Sequence, residues 1–264
     1  MNLPIGLFDS GIGGLTVLKE IISLLPYEST YYLGDTARVP YGTKSAETVI
    51  GYALEDSKFL INKKIKLLVV ACNTASAVSI PTLEKRFSIP IIGVIEPGAK
   101  KAAKTSKNKR VGVIGTTGTI KSGAYQKSIR AYNPEIKVFT RACPLFVPLV
   151  EEGWTNNLIA KLTAAKYLVN LKKEGVDSIV LGCTHYPLLK KTIKNVLCGN
   201  ISLIDSGEET AAKVAFILKK LNIENRSEKK PERLYYVTDS IERFKTVGEK
   251  FLGTNIENVE KVAL

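Results

Sequence analysis

Short apolar runs of strand length alternate along this chain with segments of helical period, and this alternation constrains the fold more than any other feature. The runs are rich in Val, Ile and Leu and show little polar alternation. Strands of this kind are typical of parallel sheets that helices cover on both faces, so the sequence predicts an α/β fold. The runs are IGLFD (5–9), TYYLG (30–34), LLVVA (67–71), IIGVI (91–95), VGVIG (111–115), IKVFT (136–140), SIVLG (178–182) and SLID (202–205).

The series of strands and helices is duplicated. IGLFDSG, from residue 5, and VGVIGTT, from residue 111, both run from a strand into a turn of small residues. LLVVACNTA and SIVLGCTHY correspond at Cys72 and Cys183, and each is followed by a helix and then by a strand that ends in an acid, Glu96 or Asp205. We therefore expect two pseudo-symmetric lobes, each a mostly parallel sheet flanked by helices, with an active site in the cleft between them.

The duplication also places the lobe boundaries. We expect the chain to cross to the second lobe near Glu96–Gly98 and to return near Asp205–Gly207. The segment with RLYYVTD is expected to pack back on the first lobe. A chain of 264 residues is long enough for one large domain or two modest ones. Lobe one is residues 1–96 plus 206–264 and carries Cys72, and lobe two is residues 97–205 and carries Cys183.

The charge balance indicates which classes of partner the protein could bind, but it does not identify a function. Lys and Arg exceed Asp and Glu by 38 − 25 = +13, a balance that suits nucleic acid, an anionic surface or a small acidic substrate. The densest basic run, KKAAKTSKNKR (100–110), holds no aromatic side chain that would stack on bases, so we interpret it as a solvated helix end and loop. We therefore expect no nucleic-acid partner.

The cysteines and the apolar runs indicate a cytoplasmic protein. The longest apolar runs are far shorter than the roughly 20 residues that span a bilayer, so no membrane partner is expected. We recognise no signal peptide at the N-terminus. Four cysteines without the spacing of a disulfide framework predict reduced thiols. They are Cys72, Cys143, Cys183 and Cys198.

Two binding motifs are incomplete. The turn SGIGGLT (10–16) has Thr16 where a dinucleotide fingerprint needs its third glycine, and GTTGTIKS (115–122) has Ile120 where a P-loop needs glycine. A zinc site would recruit Asp9, Cys72, Cys183 and His185, but the only close pair among them is Cys183 and His185, at i and i+2. The sequence therefore predicts neither a nucleotide cofactor nor a metal.

Acid–base chemistry by two thiols accounts better for the matching cysteines. Asp9, Cys72 and Cys183 lie at strand ends, where parallel α/β sheets bind ligands. Moving a proton from one face of a carbon to the other needs a group on each side, and a thiol can serve as base or acid. His185 is placed to assist Cys183, and Glu151 is a second acid candidate. Two alternatives stay open: each cysteine is a small core residue, and Glu151 is a solvated helix-end glutamate.

Five motifs in order resemble those of the glutamate racemase family. They are FDSGIGGL, GDTARVPYG, ACNTASA, CPLFVPLVEEG and LGCTHYPLL, and they run from about residue 5 to residue 207. Ile12 and Ser76 are small departures within the motifs. The resemblance implies a homodimeric enzyme, independent of pyridoxal phosphate or any other cofactor, that interconverts L- and D-glutamate for peptidoglycan synthesis.

The resemblance also implies a role for each site residue. Cys72 is the base toward the D enantiomer and Cys183 the base toward the L enantiomer, and Asp9, Glu151 and His185 support the thiols. Two other functions remain open: a racemase of aspartate or a hydantoin, and a basic binding protein whose affinity for DNA would depend on salt. The residues implied to hold the substrate are Asp9, Ser10, Pro40, Tyr41, Gly42, Asn73, Thr74, Thr184 and His185.

Overall fold

The computed structural model describes residues 3–227 and 229–264. Met1, Asn2 and Glu228, which fall within the predicted first lobe, lie outside the described residues. The strands are β1 (Ile5–Asp9), β2 (Thr30–Gly34), β3 (Leu67–Val70), β4 (Ile91–Gly93), β5 (Arg110–Gly115), β6 (Lys137–Ala142), β7 (Ser178–Gly182), β8 (Ser202–Asp205), β9 (Arg233–Val237) and β10 (Val259–Lys261). The helices are α1 (Leu15–Leu24), α2 (Ala46–Asn62), α3 (Asn73–Arg86), α4 (Ile95–Thr105), α5 (Thr117–Lys121), α6 (Ala124–Tyr132), α7 (Phe146–Glu151), α8 (Leu158–Lys173), α9 (Lys190–Leu197), α10 (Ser206–Lys220) and α11 (Ile241–Leu252).

The strands form two parallel sheets with the same internal order. The first sheet runs β10-β9-β2-β1-β3-β4 and the second runs β6-β5-β7-β8. Strands β1 to β4 therefore hold the same relative places as β5 to β8, and every pairing is parallel. The α/β class with two helix-flanked sheets and the duplication are confirmed. β9 pairs with β2, so the last segment packs back on the first sheet as expected.

Burial explains why these runs became strands. Every residue of β1, β3 and β7 is buried, because helices cover both faces of each sheet. Helix α1 buries Leu15, Leu18 and Ile21 against the first sheet. On the same side, the ring of Phe244 from α11 lies 6.0 Å from that of Tyr32 on β2. Helix α11 is thus part of the hydrophobic core that covers the first sheet.

One strand prediction was too long. The run IIGVI was expected to stay extended to residue 95, yet β4 ends at Gly93 and Ile95 begins α4. The Oγ of Ser76 accepts a hydrogen bond from the Val94 amide at 2.9 Å, and Pro97 lies in the first helical turn, where its missing N–H has no cost. Glu96 therefore lies in the first turn of a helix and does not end a strand, whereas Asp205 does end β8.

The predicted crossings coincide with the starts of two helices. Helix α4 begins at Ile95 and packs on α6 and α10, and α10 begins at Ser206 and packs on α1. The lobe ranges themselves stay a prediction. At the end of α8, Gly175 has a φ of +63°, the conformation expected of a glycine that follows a helix. No helix within the described ranges is long and apolar enough to cross a membrane.

Gly34 provides a test of the close packing at the end of β2. A Cβ at this position would lie 2.5 Å from the carbonyl oxygen of Gly11, in the turn that follows β1. Both backbones would have to move, so Gly34→Ala is expected to lower the free energy of unfolding by about 1–3 kcal/mol, measured by denaturant titration.

Gly51 is the matched control. It is exposed in α2, and a Cβ there would meet nothing within 4 Å. Because alanine favours helix over glycine by about 1 kcal/mol, Gly51→Ala is expected to raise the unfolding midpoint. Equal midpoints for the two variants would contradict this account of the β2 end.

Candidate active site

One cavity lies where the carboxyl ends of both sheets face each other. Its volume of about 150 Å³ is smaller than the roughly 300–1,000 Å³ of most ligand pockets, so it suits a small metabolite. The lining is contributed by both halves of the chain, as expected for a cleft between strand ends. The lining residues are Ser10, Gly11, Ile12, Val39, Pro40, Tyr41, Gly42, Thr43, Cys72, Asn73, Thr74, Thr116, Thr117, Pro144, Val147, Pro148, Glu151, Cys183, Thr184 and His185.

Cys72 lies between β3 and α3, at the position that caps the helix. Its Sγ donates a weak hydrogen bond to the Oγ of Ser10 over 3.7 Å. Burial, with a smaller contribution from the negative charge of Asp9, raises the pKa of the Cys72 thiol to about 12. A backbone N–H bond from Ala75, at the start of α3, acts in the opposite direction. Cys72 is therefore a protonated thiol at neutral pH.

Cys183 has a different neighbour. It follows β7 and lines the same cavity as Cys72, and its Sγ lies 3.9 Å from the Nδ1 of His185. The other ring nitrogen of His185, Nε2, lies 3.1 Å from the Oε1 of Glu151. The second carboxylate oxygen of Glu151 accepts a hydrogen bond from Arg243 of α11 at 3.2 Å. A series of contacts between polar side chains therefore runs from the exposed Arg243 to the buried thiol.

The pKa values of the His185 and Glu151 side chains favour their charged forms. Burial lowers the pKa of His185, but the hydrogen bonds to Cys183 and Glu151 outweigh it and raise that pKa to about 10. The hydrogen bond to His185 holds the pKa of Glu151 below its usual value. Glu151 and His185 are therefore an ion pair at neutral pH. The cation of His185 is close enough to stabilise a thiolate on Cys183.

Asp9 is the one predicted site residue that does not line the cavity. It is fully buried at the end of β1, and its Oδ2 accepts a hydrogen bond from the Gly11 amide at 3.0 Å. Its Oδ1 has no partner within the described part of the chain. Burial raises the pKa of Asp9, although the nearby charge of His185 opposes the shift. Asp9 thus lies behind the turn that carries Ser10, next to both thiol environments.

The other residues implied to hold a substrate all reach the cavity wall. Asn73 is the most informative of them, because its Oδ1 accepts a hydrogen bond from Tyr125 at 2.7 Å while its buried Nδ2 has no partner in the described chain. A buried amide N–H₂ without a partner is a ready donor for a ligand carboxylate. The residues in this group are Ser10, Pro40, Tyr41, Gly42, Asn73, Thr74, Thr184 and His185.

Two glycines in these motifs bring the halves of the chain together. A Cβ at Gly13 would lie 2.3 Å from the Oγ1 of Thr184 and 2.5 Å from the Nδ1 of His185. A Cβ at Gly42 would lie 2.6 Å from the Cβ of Thr116. The glycine-rich turn after β1 therefore provides room for the second half of the site, which explains its composition without a nucleotide.

Sequence reasoning missed part of the cavity wall. Thr116 and Thr117 line it, yet their turn was considered only as a rejected phosphate loop. The duplication contained the signal: the offset of 106 residues that relates β1 to β5 also relates Ser10 to Thr116. The Oγ1 atoms of Thr74 and Thr116 lie 2.9 Å apart across the cleft. The other unpredicted wall residues are Gly11, Ile12, Val39, Thr43, Pro144, Val147 and Pro148.

Within residues 3–227 and 229–264, no group of three or more His, Cys, Asp or Glu side chains is arranged to hold a metal ion. The cysteines described are all free, and Cys198 is the exposed one.

Known proteins are similar to this chain in sequence and in architecture. Residues 12–214 match the Asp/Glu/Hydantoin racemase family. The glutamate racemase of Geobacter metallireducens is 56% identical over 260 residues, which cover 98% of this chain and 96% of that protein. The crystal structure of glutamate racemase isoform RacE1 from Bacillus anthracis aligns with a TM-score of 0.96 at 42% identity, over 99% of this chain and 98% of that one.

A ligand-bound structure is among these neighbours. The glutamate racemase of Francisella tularensis, solved in complex with D-glutamate, aligns with a TM-score of 0.94 at 40% identity. The alignment covers 99% of this chain and 98% of that one. Both halves of the cleft therefore fall within the compared region.

His185 is the only histidine of the chain, so its protonation can be followed without assignment. In tag-free protein labelled with ¹³C-histidine, the imidazole signal is expected to stay in its charged form through pH 8 and to titrate near 10. The folded-state pKa lies above the unfolded value, so the stabilisation from this group is complete below about pH 6.5 and is lost as the pH rises toward 10.

Glu151→Gln removes the charged partner and is expected to move the midpoint of the His185 titration down toward its ordinary value. Glu152→Gln is the matched control, because Glu152 is exposed at the end of α7 and forms no side-chain bond to His185. A midpoint near 6.5 in the unaltered protein would contradict the ion pair.

Proposed function

This chain belongs to the Asp/Glu/Hydantoin racemase family, and from that premise we propose that it is a glutamate racemase that works by two-base proton transfer. One observation carries the proposal: two thiols at matching strand ends of a duplicated fold line a single small cavity. In a pseudo-symmetric cleft, matching strand ends approach a bound ligand from opposite sides. The activity makes the protein an isomerase.

Glutamate is favoured over aspartate or a hydantoin as the substrate. Relatives that match nearly the whole chain at 44–56% identity are named glutamate racemases, and one structural neighbour was solved with D-glutamate. The cavity offers N–H and hydroxyl donors from both halves of the chain, such as the free Nδ2 of Asn73 and the hydroxyl of Thr116. Several hydrogen-bond donors around one cavity suit a substrate with two carboxylates.

The proposed reaction moves one proton at a time. A thiolate removes the hydrogen of the α carbon, so the C–H bond breaks, an S–H bond forms and the electron pair stays on the substrate. The opposite thiol then gives its proton to the other face of the carbon, so the configuration is inverted. Each turnover exchanges the protonation states of Cys72 and Cys183. Side chains that donate hydrogen bonds to the substrate carboxylate, such as Asn73, stabilise the negative charge that develops.

The two thiols start from different states. Cys183 has the His185 cation at 3.9 Å, whereas Cys72 is a buried thiol whose pKa is raised to about 12. We therefore assign the role of base toward L-glutamate to Cys183 and the role of acid to Cys72. For D-glutamate the roles are reversed: Cys72 releases its proton to solvent, and Cys183 takes one up from solvent. The ammonium group of the substrate together with the N-terminus of α3 favours the thiolate of Cys72. We assign Asp9, Glu151 and His185 to the support of this proton balance.

Circular dichroism with each enantiomer of glutamate and of aspartate tests the function directly. We expect racemisation of glutamate with no added cofactor and little change with aspartate. Cys72→Ala and Cys183→Ala are each expected to lower kcat for inversion by at least about 10³-fold, because a one-sided site cannot reprotonate the opposite face. Binding of glutamate is expected to stay measurable by calorimetry.

Deuterium exchange separates the roles of the two thiols. In D₂O, the unaltered enzyme should place solvent deuterium at the α carbon of the product as fast as it inverts. Cys72→Ala should retain exchange only with L-glutamate, and Cys183→Ala only with D-glutamate, each without inversion. Cys198→Ala is the control, since Cys198 is exposed and away from the cavity. Full racemase activity in either cavity variant would refute the two-base mechanism.

We further propose a cytoplasmic homodimer that supplies D-glutamate for peptidoglycan, and thereby serves cell wall biogenesis and cell shape. The free cysteines support a reducing compartment. Exposed apolar side chains support the dimer: Leu158 and Leu162, one turn apart on α8, are 69% and 61% exposed, and Trp154 and Ile159 lie beside them in sequence. A monomer rarely exposes such a patch without a partner.

Sedimentation velocity tests the dimer and its face. The unaltered protein is expected to sediment as a dimer, and a Leu158→Lys/Leu162→Lys variant as a folded monomer, because each protomer would bury two charges in the interface. Phe216→Lys is the control, since Phe216 is 59% exposed on α10 rather than α8. A monomeric unaltered protein would refute the dimer, and a dimeric α8 variant would refute the face.

A further inference from the structure

A buried acidic pair lies behind the cleft wall at Tyr41. Asp35, directly after β2, and Asp56, in the middle of α2, are both fully inaccessible to solvent. The phenol of Tyr41 lies between them, in contact with the Oδ2 of Asp35 and 3.0 Å from the Oδ2 of Asp56. Tyr41 begins the short helical turn Tyr41–Thr43, whose residues line the cavity.

The number of protons on the phenol decides the charge of this pair. A neutral tyrosine has one hydrogen and can donate to one carboxylate. If both acids were ionised, the phenol oxygen would face the lone pairs of the second carboxylate without a hydrogen between them. Burial and the two carboxylates raise the pKa of Tyr41, so the phenol keeps its proton. One of the two acids must therefore donate a hydrogen to Tyr41.

The hydrogen-bond donors around the two acids distinguish them. Asp35 accepts from the Nε of Arg38 at 2.6 Å, from the Oγ1 of Thr238 at 3.0 Å and from Tyr41. Asp56 accepts at its Oδ1 from the Nη2 of Arg38 at 3.1 Å, and among the described residues its Oδ2 has only the phenol as a hydrogen-bond partner. Three donors favour the ionised form of Asp35, so the shared proton belongs on Asp56.

We propose that Asp56 is held as a neutral carboxylic acid that donates a hydrogen bond to Tyr41 and so positions the Pro40–Thr43 segment for substrate binding. The proposal rests on the proposed function, and it adds a positioning residue that does not touch the cavity. The relay runs from the Asp56 carboxyl hydrogen to the Tyr41 oxygen, and from the Tyr41 hydrogen to the Asp35 carboxylate. No charge is created or lost along it.

The neighbouring charges agree with one proton on Asp56. The groups that face it are Asp35, Arg38, Tyr41 and Glu55, and the Arg38 guanidinium also contacts Glu55. Two carboxylates, Asp35 and Glu55, and a single cation already leave this cluster with one negative charge. Burial and the charge of Asp35 raise the pKa of Asp56 well above its ordinary value. Arg38 also stacks 4.2 Å over the ring of Tyr52, which fixes the guanidinium.

Infrared spectroscopy tests the protonation state without any assay of activity. The difference spectrum of the unaltered protein minus Asp56→Asn, at pH 7, is expected to contain the C=O stretching band of a protonated carboxyl group that shifts on ¹³C-aspartate labelling. A carboxylate band in its place would overturn the proposal. This result is independent of racemisation, so a protein without that activity would refute the proposed function and leave this test intact.

Kinetics tests the positioning role. Asn can donate from its amide to Tyr41 and accept from Arg38, so Asp56→Asn is expected to keep KM and kcat for D-glutamate within about threefold. Asp56→Leu cannot donate, and we expect a rise in KM of about tenfold with kcat changed less than threefold, since the segment binds ground and transition states alike. Comparison of Asp56→Asn with Asp56→Leu thus separates the effect of the donated hydrogen bond from the effect of side-chain volume.

Asp35→Asn is the matched control, because its acid is the ionised partner. Loss of that charge leaves Arg38 and Tyr41 with a poorer acceptor, so KM is expected to rise as in Asp56→Leu. Tyr41→Phe, which removes the phenol while keeping the ring, should raise KM in the same way if either aspartate variant fails to fold. Tolerance of Asp35→Asn together with damage by Asp56→Asn would place the proton on the other acid and overturn the proposal.

Discussion

The repeated strand order is the constraint on which the rest of the molecule depends. Strands β1 to β4 and β5 to β8 hold the same places in two parallel sheets, and the carboxyl ends of the sheets share one cavity. Ser10 and Thr116 follow the first strand of each set, and Cys72 and Cys183 follow the third. Because a parallel sheet gathers its strand ends at one edge, two copies of one topology create matching walls around a ligand. The paired thiols are a product of this arrangement.

The surroundings of the two thiols break this symmetry. The position that corresponds to His185 in the first half is occupied by Thr74, so only Cys183 has a cation beside it. Cys72 instead has the Ser10 hydroxyl and the buried Asp9 as neighbours. Two identical environments would hold both thiols in the same protonation state. Under the proposed mechanism, unequal environments suit the roles of one acid and one base, which moving a proton across a carbon requires.

The local sequence pattern predicted the strands of the sheets and the matching cysteines. The features that it missed depend on long-range packing. Buried parallel strands read as continuous apolar runs, so β1 and β7 could be placed to the residue, whereas Ile95 continued an apolar run that in fact starts a helix. The wall residue Thr116 resembled part of a phosphate loop. Asp56 lies between Ala53 and Leu60 on the buried face of α2. No local pattern predicts a buried acidic residue there, because its partners, Tyr41 and Asp35, come from a preceding loop.

The contribution of α11 to the cleft has a consequence for how the protein is made. Arg243 bonds to Glu151, 92 residues earlier, and the ring of Phe251 lies 5.2 Å from that of His185. Helix α11 therefore completes the surroundings of an ion pair that precedes it in the chain. A nascent chain that has left the ribosome only through α10 contains both sulfurs and the imidazole but neither of these contacts. The imidazole therefore reaches the electrostatic setting described here only after α11 has been synthesised and has docked beside the cleft.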